Sequence, residues 1–338
     1  MICVYVSNSE SNDISVFSLD PKSGDLSAID IVPIPDTKVG SSSPLAASPD
    51  KRFLFVGNRG EPYSVATFAI DPKSGKLTYR SKGPLADQMA YLVTDRSGRY
   101  LLGASYGGNK VSVNPIGPDG SVGPVQQIVE TPPSAHSILT DAANRYAFAA
   151  SLGGNVVNLY RFDAASGQLS PNDPATVGVR EKAGPRHFRF HPNNRFVYLL
   201  NELDGSLTVF DYDAARGHWG EKQTASVLPP GFGGKPWASD LHVTPDGKFL
   251  YGAERTTSTL AGFRIDSQTG TLTHVGNWPT ETQPRGFAID PAGRYLLAVG
   301  QTSHRLSGYA IEPDGGLRKL KDHPVGQNPN WVEILDLS

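Results

Sequence analysis

Short apolar runs of about five residues, rich in Phe, Tyr, Val, Ile and Leu, recur along the chain between clusters of Gly, Pro, Asp and Ser. Runs this short predict β-strands rather than helices, and many alternate apolar with polar positions. Two marks give the runs a period. The first is a turn followed by a basic residue and an apolar or aromatic strand, as in Pro49-Asp50-Lys51-Arg52-Phe53-Leu54-Phe55. Its basic residue falls at Arg52, Arg99, Arg145, Arg195, Lys248 and Arg294, in steps of 47, 46, 50, 53 and 46 residues. The second mark, out of phase with the first, is a hairpin turn carrying Gly24, Gly75, Gly120, Gly167, Gly217, Gly270 or Gly315. Glycine supplies the positive φ of such hairpins, while Asp and Pro open them.

Each period therefore holds four antiparallel strands, A to D, with the basic anchor at the A–B turn and the glycine at the C–D turn. There are seven hairpins but only six anchors. Two strands, Val4-Tyr5-Val6 and Ile14-Ser15-Val16-Phe17, precede the first hairpin, whereas Trp331-Val332-Glu333-Ile334-Leu335 stands alone at the C-terminus. The expectation is an all-β fold, a seven-bladed β-propeller of one domain over residues 1–338. Blade one is split between residues 1–36 and 329–338, and the C-terminal strand closes the ring by joining the N-terminal blade. Closure leaves no open ring edge.

This topology sorts residues by face. Both regular turns lie on one face; the starts of A strands and the ends of B strands share the other, near the axis. The basic anchors recur blade after blade, as a structural role requires. On the opposite face the repeat is broken by polar residues. His136, Arg186, His187, Asp240 and Arg285 stand at starts of A; Arg59, Tyr106, Glu202, Arg255 and Gln301 stand at ends of B. Because neighbours in a strand point to opposite sides, only one of Arg186 and His187 is expected to reach the axis. The run Pro229-Pro230-Gly231-Phe232-Gly233-Gly234-Lys235-Pro236 is a D–A connection that overhangs the same face.

Composition narrows the chemistry. A net charge of −2 offers no basic surface for nucleic acid or an anionic membrane. No run approaches the roughly 20 apolar residues of a membrane span, and no secretory leader is legible, so the expected location is the cytoplasm. The one cysteine, Cys3, excludes an internal disulfide and reads as a small buried residue. No G-x-S-x-G nucleophile motif is present. No spacing demands a metal, although His136, His187, Glu202 and Asp240 can in principle gather one; none is expected, nor any cofactor. Arginines bind carboxylate or phosphate bidentately and stabilise an oxyanion, while Glu or His serves as general acid or base. The set suits water attack on an anionic small-molecule lactone, or the reverse closure of one. A propeller that binds a protein partner without catalysis is the alternative, marked by a large exposed apolar patch.

At these same positions the chain resembles the seven-bladed propeller lactonases, in particular the bacterial 6-phosphogluconolactonases of propeller type, with fungal carboxymuconate-lactonizing enzymes as more distant members. The resemblance spans essentially the whole chain. It is carried by Gly184-Pro185-Arg186-His187-Phe188, Leu199-Leu200-Asn201-Glu202-Leu203, Trp237-Ala238-Ser239-Asp240-Leu241-His242, Thr282-Gln283-Pro284-Arg285-Gly286-Phe287 and Gly326-Gln327-Asn328-Pro329-Asn330-Trp331. It implies hydrolysis of 6-phospho-D-glucono-1,5-lactone in the pentose phosphate pathway, with the family's histidine, arginine and glutamate falling on His136, Arg186 and Glu202 and a further arginine on Arg255 or Arg285. Joined to the topology, the expected catalytic set is His136, Arg186, Glu202 and Arg285, with substrate contacts expected at Arg59, His187, Asp240, Arg255 and Gln301. One departure stands out. Ser151-Leu152-Gly153-Gly154-Asn155 carries no charge where the family usually does, which keeps an unphosphorylated sugar lactone, or a muconate-type cycloisomerase reaction, in view.

Overall fold

The computed structural model describes residues 1–35 and 40–338. Its strands form seven four-stranded antiparallel sheets, each a run of consecutive strands except the first. That sheet places Pro329–Asp336 beside Ile2–Asn8, followed by Asp13–Leu19 and Leu26–Pro33. The pairing runs from Ile2 opposite Asp336 to Asn8 opposite Pro329, so the C-terminal strand is strand A of blade one and closes the ring. Residue 36, where the sequence places the end of blade one's N-terminal part, lies outside the described residues.

Burial explains why inner and outer strands read differently in sequence. Strand B of blade five, Phe196–Asn201, is buried at every position because neighbouring blades cover both its faces. Strand D of blade seven, Leu317–Pro324, is buried only at Leu317 and is otherwise exposed or half-buried, because it is the outer edge of its blade. The core is divided among the junctions between blades. The junction of blades seven and one joins Leu297 and Val299 to Val4, Val6, Val332 and Ile334. The closing strand thus adds a hydrophobic seam as well as hydrogen bonds.

The anchor face is tied together by one repeated contact. Gly167 has φ +73, and a Cβ there would meet the Tyr100 ring of the preceding blade at 2.3 Å. The Tyr100 hydroxyl donates to the Ala165 carbonyl at 2.9 Å, and Arg99 donates to the Ala164 carbonyl. Gly120 on Phe53, Gly217 on Tyr146, Gly270 on Phe196, Gly315 on Phe249 and Gly24 on Tyr295 repeat the arrangement. At the seventh junction Gly75 faces the sulfur of buried Cys3 instead. Arg52, Arg99, Arg145 and Arg195 thus donate to the hairpin of the next blade, a structural role between blades.

Candidate active site

The opposite face is built by a β-bulge. In blade five, Pro185 pairs with Asn201 but His187 pairs with Leu200, so Arg186 is an extra residue in strand A (Pro185–Phe190). The same skip leaves His136 extra in blade four and Arg285 in blade seven. In blade six the register passes over both Ser239 and Asp240. A bulge bends the strand and re-aims side chains. It overrides the alternation expected from sequence: Arg186 Nη1 lies 3.2 Å from His187 Nε2, and both residues face the axis.

Arg186 is 1% exposed and nearly saturated. Its Nε donates to Glu202 Oε2 at 2.8 Å, and its Nη1 meets His187 and the Ser239 carbonyl. Its Nη2 makes no hydrogen bond to the described residues. Arg255 grips the same Glu202 oxygen at 2.8 Å, donates to the Ala238 and Trp237 carbonyls, and lies 3.9 Å over the Trp237 ring. Oε1 of Glu202 takes no donor among the described residues.

Two further arginines meet over one loop. Arg285 reaches the Ser41 carbonyl at 3.4 Å, and Arg59 donates to Ser42 Oγ at 2.8 Å while its Nε is buried without a partner. Burial together with the charges of Arg186, Arg255 and Arg59 pushes Arg285 well below the ordinary guanidinium value. Arg255 is lowered to about 9 by burial and by Arg186. Guanidinium groups stay protonated at neutral pH. Arg186 and Arg255 clamp Glu202, Arg285 feels its charge, and Arg59 stands close enough to Arg285 and Arg186 to depress or be depressed by them, so the site carries an excess of positive charge.

His136 is buried against Tyr106 and His187, with ring centroids 5.7 and 5.1 Å away, and its Nδ1 has no partner. Burial and the neighbouring Arg186 hold it well below the usual histidine range, so the ring is neutral. His187 and Asp240 stand behind Arg186: His187 Nδ1 lies 2.8 Å from Asp240 Oδ1. Gln301 lies apart, spanning to Asn328 at 2.8 Å across the junction of blades seven and one. The Pro229–Pro236 run is held to blade six through Thr256 and the Lys235 carbonyl at 2.9 Å. Among the described residues no three His, Cys, Asp or Glu side chains are placed to hold a metal.

Three rings floor the site. Tyr91 sits 5.1 Å from both His187 and Trp331, which are 6.2 Å apart. Below them a cavity of about 380 Å³ extends toward the anchor face, lined by Arg189, Asp240, His242 and Glu333. Sequence reasoning did not single out Tyr91, Arg189 or His242. They lie within A strands, where polar residues carried no mark distinct from the repeat.

This architecture matches known proteins along its whole length. The family described as "Lactonase, 7-bladed beta-propeller" matches residues 2–334. The chain belongs to the seven-bladed β-propeller lactonases. Within that family it is 42% identical to a protein named 6-phosphogluconolactonase from Pectobacterium carotovorum subsp. carotovorum, over 99% of this chain and 98% of the relative. A 6-phosphogluconolactonase from Erwinia tasmaniensis is 40% identical over 99% and 98%. Among solved structures, a periplasmic gluconolactonase of Pseudomonas aeruginosa superposes with a TM-score of 0.91 at 30% identity, covering 100% of both chains. No helix among the described residues is long and apolar enough to cross a membrane.

Proposed function

We propose that this lactonase hydrolyses 6-phospho-D-glucono-1,5-lactone to 6-phosphogluconate in the cytoplasm, using side chains alone. The observation that carries the reading is one carboxylate, Glu202, clamped by Arg186 and Arg255, with Arg285 and Arg59 adding positive charge beside them. Oε2 is taken by Arg186 and Arg255, which leaves Oε1 to accept a proton from water as the water attacks C1. The neutral imidazole of His136 accepts the water's other hydrogen bond and orients it. Negative charge growing on the carbonyl oxygen falls to the remaining donor of Arg186 and to Arg285, the preorganised stabilisation that dominates acyl transfer. The proton held by Glu202 then passes to the departing ring oxygen, giving the C5 hydroxyl and a free acid. Arg59 with Arg285, over the Ser41–Ser42 loop, receives the phosphate end. His187, Asp240 and Gln301 make no substrate contact in this reading.

A second reading, hydrolysis of an unphosphorylated gluconolactone, draws on the uncharged Ser151–Asn155 segment and on the gluconolactonase among the structural neighbours. Steady-state kinetics of Glu202→Gln test the mechanism under either substrate. Turnover should fall about 10³-fold, the scale of a lost general base, with the fold intact by circular dichroism. Near-normal turnover would remove Glu202 from the mechanism.

A further inference from the structure

Arg186 can stabilise an oxyanion only if its plane is fixed, and something must fix it from the side away from Glu202. The hydrogen bonds leave one assignment. A guanidinium only donates, so His187 Nε2, 3.2 Å from Arg186 Nη1, is the acceptor and the ring proton is on Nδ1. Nδ1–H then donates to Asp240 Oδ1 at 2.8 Å.

Asp240 is itself held on every side. The Leu241 amide donates to Oδ1 at 2.9 Å, the Phe287 amide approaches Oδ2 at 3.4 Å, and His242 Nε2 lies 3.3 Å from Oδ2. Arg189 Nη2 is 3.8 Å from Oδ1. Asp240 is 6% exposed and lines the lower cavity on the side away from Arg186. Burial and Arg186 lower His187 to about 3, so the ring keeps one proton throughout the working range.

We infer that Asp240 and His187 are positioning residues: the carboxylate fixes the imidazole as its Nδ1–H tautomer, and the imidazole, sharing Nη1 with the Ser239 carbonyl, completes the hold on the Arg186 plane. Nη2 then faces the substrate while Nε stays on Glu202. The inference rests on the lactonase reading of the site, and neither residue touches the substrate. With the opposite tautomer, an N–H would face the N–H of Arg186 and the guanidinium would turn away.

Kinetics on 6-phospho-D-glucono-1,5-lactone and ¹⁵N NMR of the histidine side chains test this together. Asp240→Ala should lower kcat about 10–100-fold, the scale seen when a supporting partner of a functional side chain is removed, with KM changed less than about threefold. Asp240→Asn, whose amide oxygen still accepts from Nδ1–H, should recover at least about tenfold of that loss. The wild-type spectrum should show His187 as the Nδ1–H tautomer, shifting toward Nε2–H in Asp240→Ala. Should Asp240→Ala not fold, His187→Phe keeps a ring among Tyr91, His136 and Trp331 and should lose the same kcat. Wild-type kcat in Asp240→Ala or His187→Phe, an Asp240→Asn no better than the alanine, or an Nε2–H tautomer in the wild type overturns the inference. A wild type that hydrolyses no lactone defeats the reading of function, while the tautomer still decides the positioning.

Discussion

Glu202 sets the terms at the residue scale, because its two oxygens have different duties. Two charge-assisted hydrogen bonds hold Oε2 in place, and in the proposed mechanism only Oε1 meets reactants. Arg255→Met should therefore act through Glu202, loosening the carboxylate and lowering kcat more than it raises KM. Arg59→Met should do the reverse: KM for a phosphorylated substrate should rise by about tenfold or more, as expected for a lost charge-assisted contact, with kcat nearly unchanged. Parallel steady-state kinetics of the two variants give that contrast. A different chemistry rules Glu333, beside the lower cavity. Burial raises its carboxyl to about 7. The folded state thus keeps a proton that the unfolded chain has lost above about pH 4.5. The protein loses stability as pH rises through that window, by up to roughly 3–4 kcal/mol. Glu333→Gln should remove this slope, so that its melting temperature exceeds the wild type's at pH 8 and matches it near pH 5. Residue types at the site were legible, since His136, Arg186, Glu202 and Arg285 break a repeat that otherwise prefers small or apolar residues. Their division of labour was not. Nothing in the sequence distinguishes an arginine that clamps Glu202 from one that reaches the Ser41 carbonyl.

Elements explain that limit. Period-two alternation sends Arg186 and His187 apart; the bulge at Pro185 brings them together. A bulge is set by the pairing of two strands and leaves no trace in one of them, so side-chain direction at the A-strand starts emerged only in three dimensions. The hairpins are the opposite case. Their glycines were read correctly because the left-handed backbone they need is a local demand, although the ring packed beneath each belongs to another blade. Gly167→Ala should cost about 2–4 kcal/mol, from positive φ and from contact with Tyr100. Gly233→Ala, where nothing lies within 4 Å of a new Cβ, should leave thermal unfolding unchanged. Equal melting temperatures for the two variants would remove the seam from the account.

For the whole molecule, closure is the device that makes a site possible, because the axis is defined only when the A strands of all blades face one another. The blade count, the split first blade and the two-faced division were readable from hairpins, anchors and the orphan last strand. The ring floor of Tyr91, His187 and Trp331 was not, since it joins blades one, three and five across the axis. Deleting residues 329–338 exposes the edge of Ile2–Asn8 and removes Val332 and Ile334 from the last seam, about 2 kcal/mol for each side chain. Calorimetry should show the single cooperative transition lost; an unchanged one would contradict closure. The central claim is that the charged end of the axis hydrolyses an anionic sugar lactone. Its most direct measurement is kcat/KM for 6-phospho-D-glucono-1,5-lactone and for plain glucono-1,5-lactone, each corrected for spontaneous opening. The account predicts rapid hydrolysis of the phosphorylated lactone and a preference over the plain one of at least about 100-fold, equivalent to the roughly 2.7 kcal/mol that a charge-assisted phosphate contact supplies. No acceleration of either lactone would contradict it.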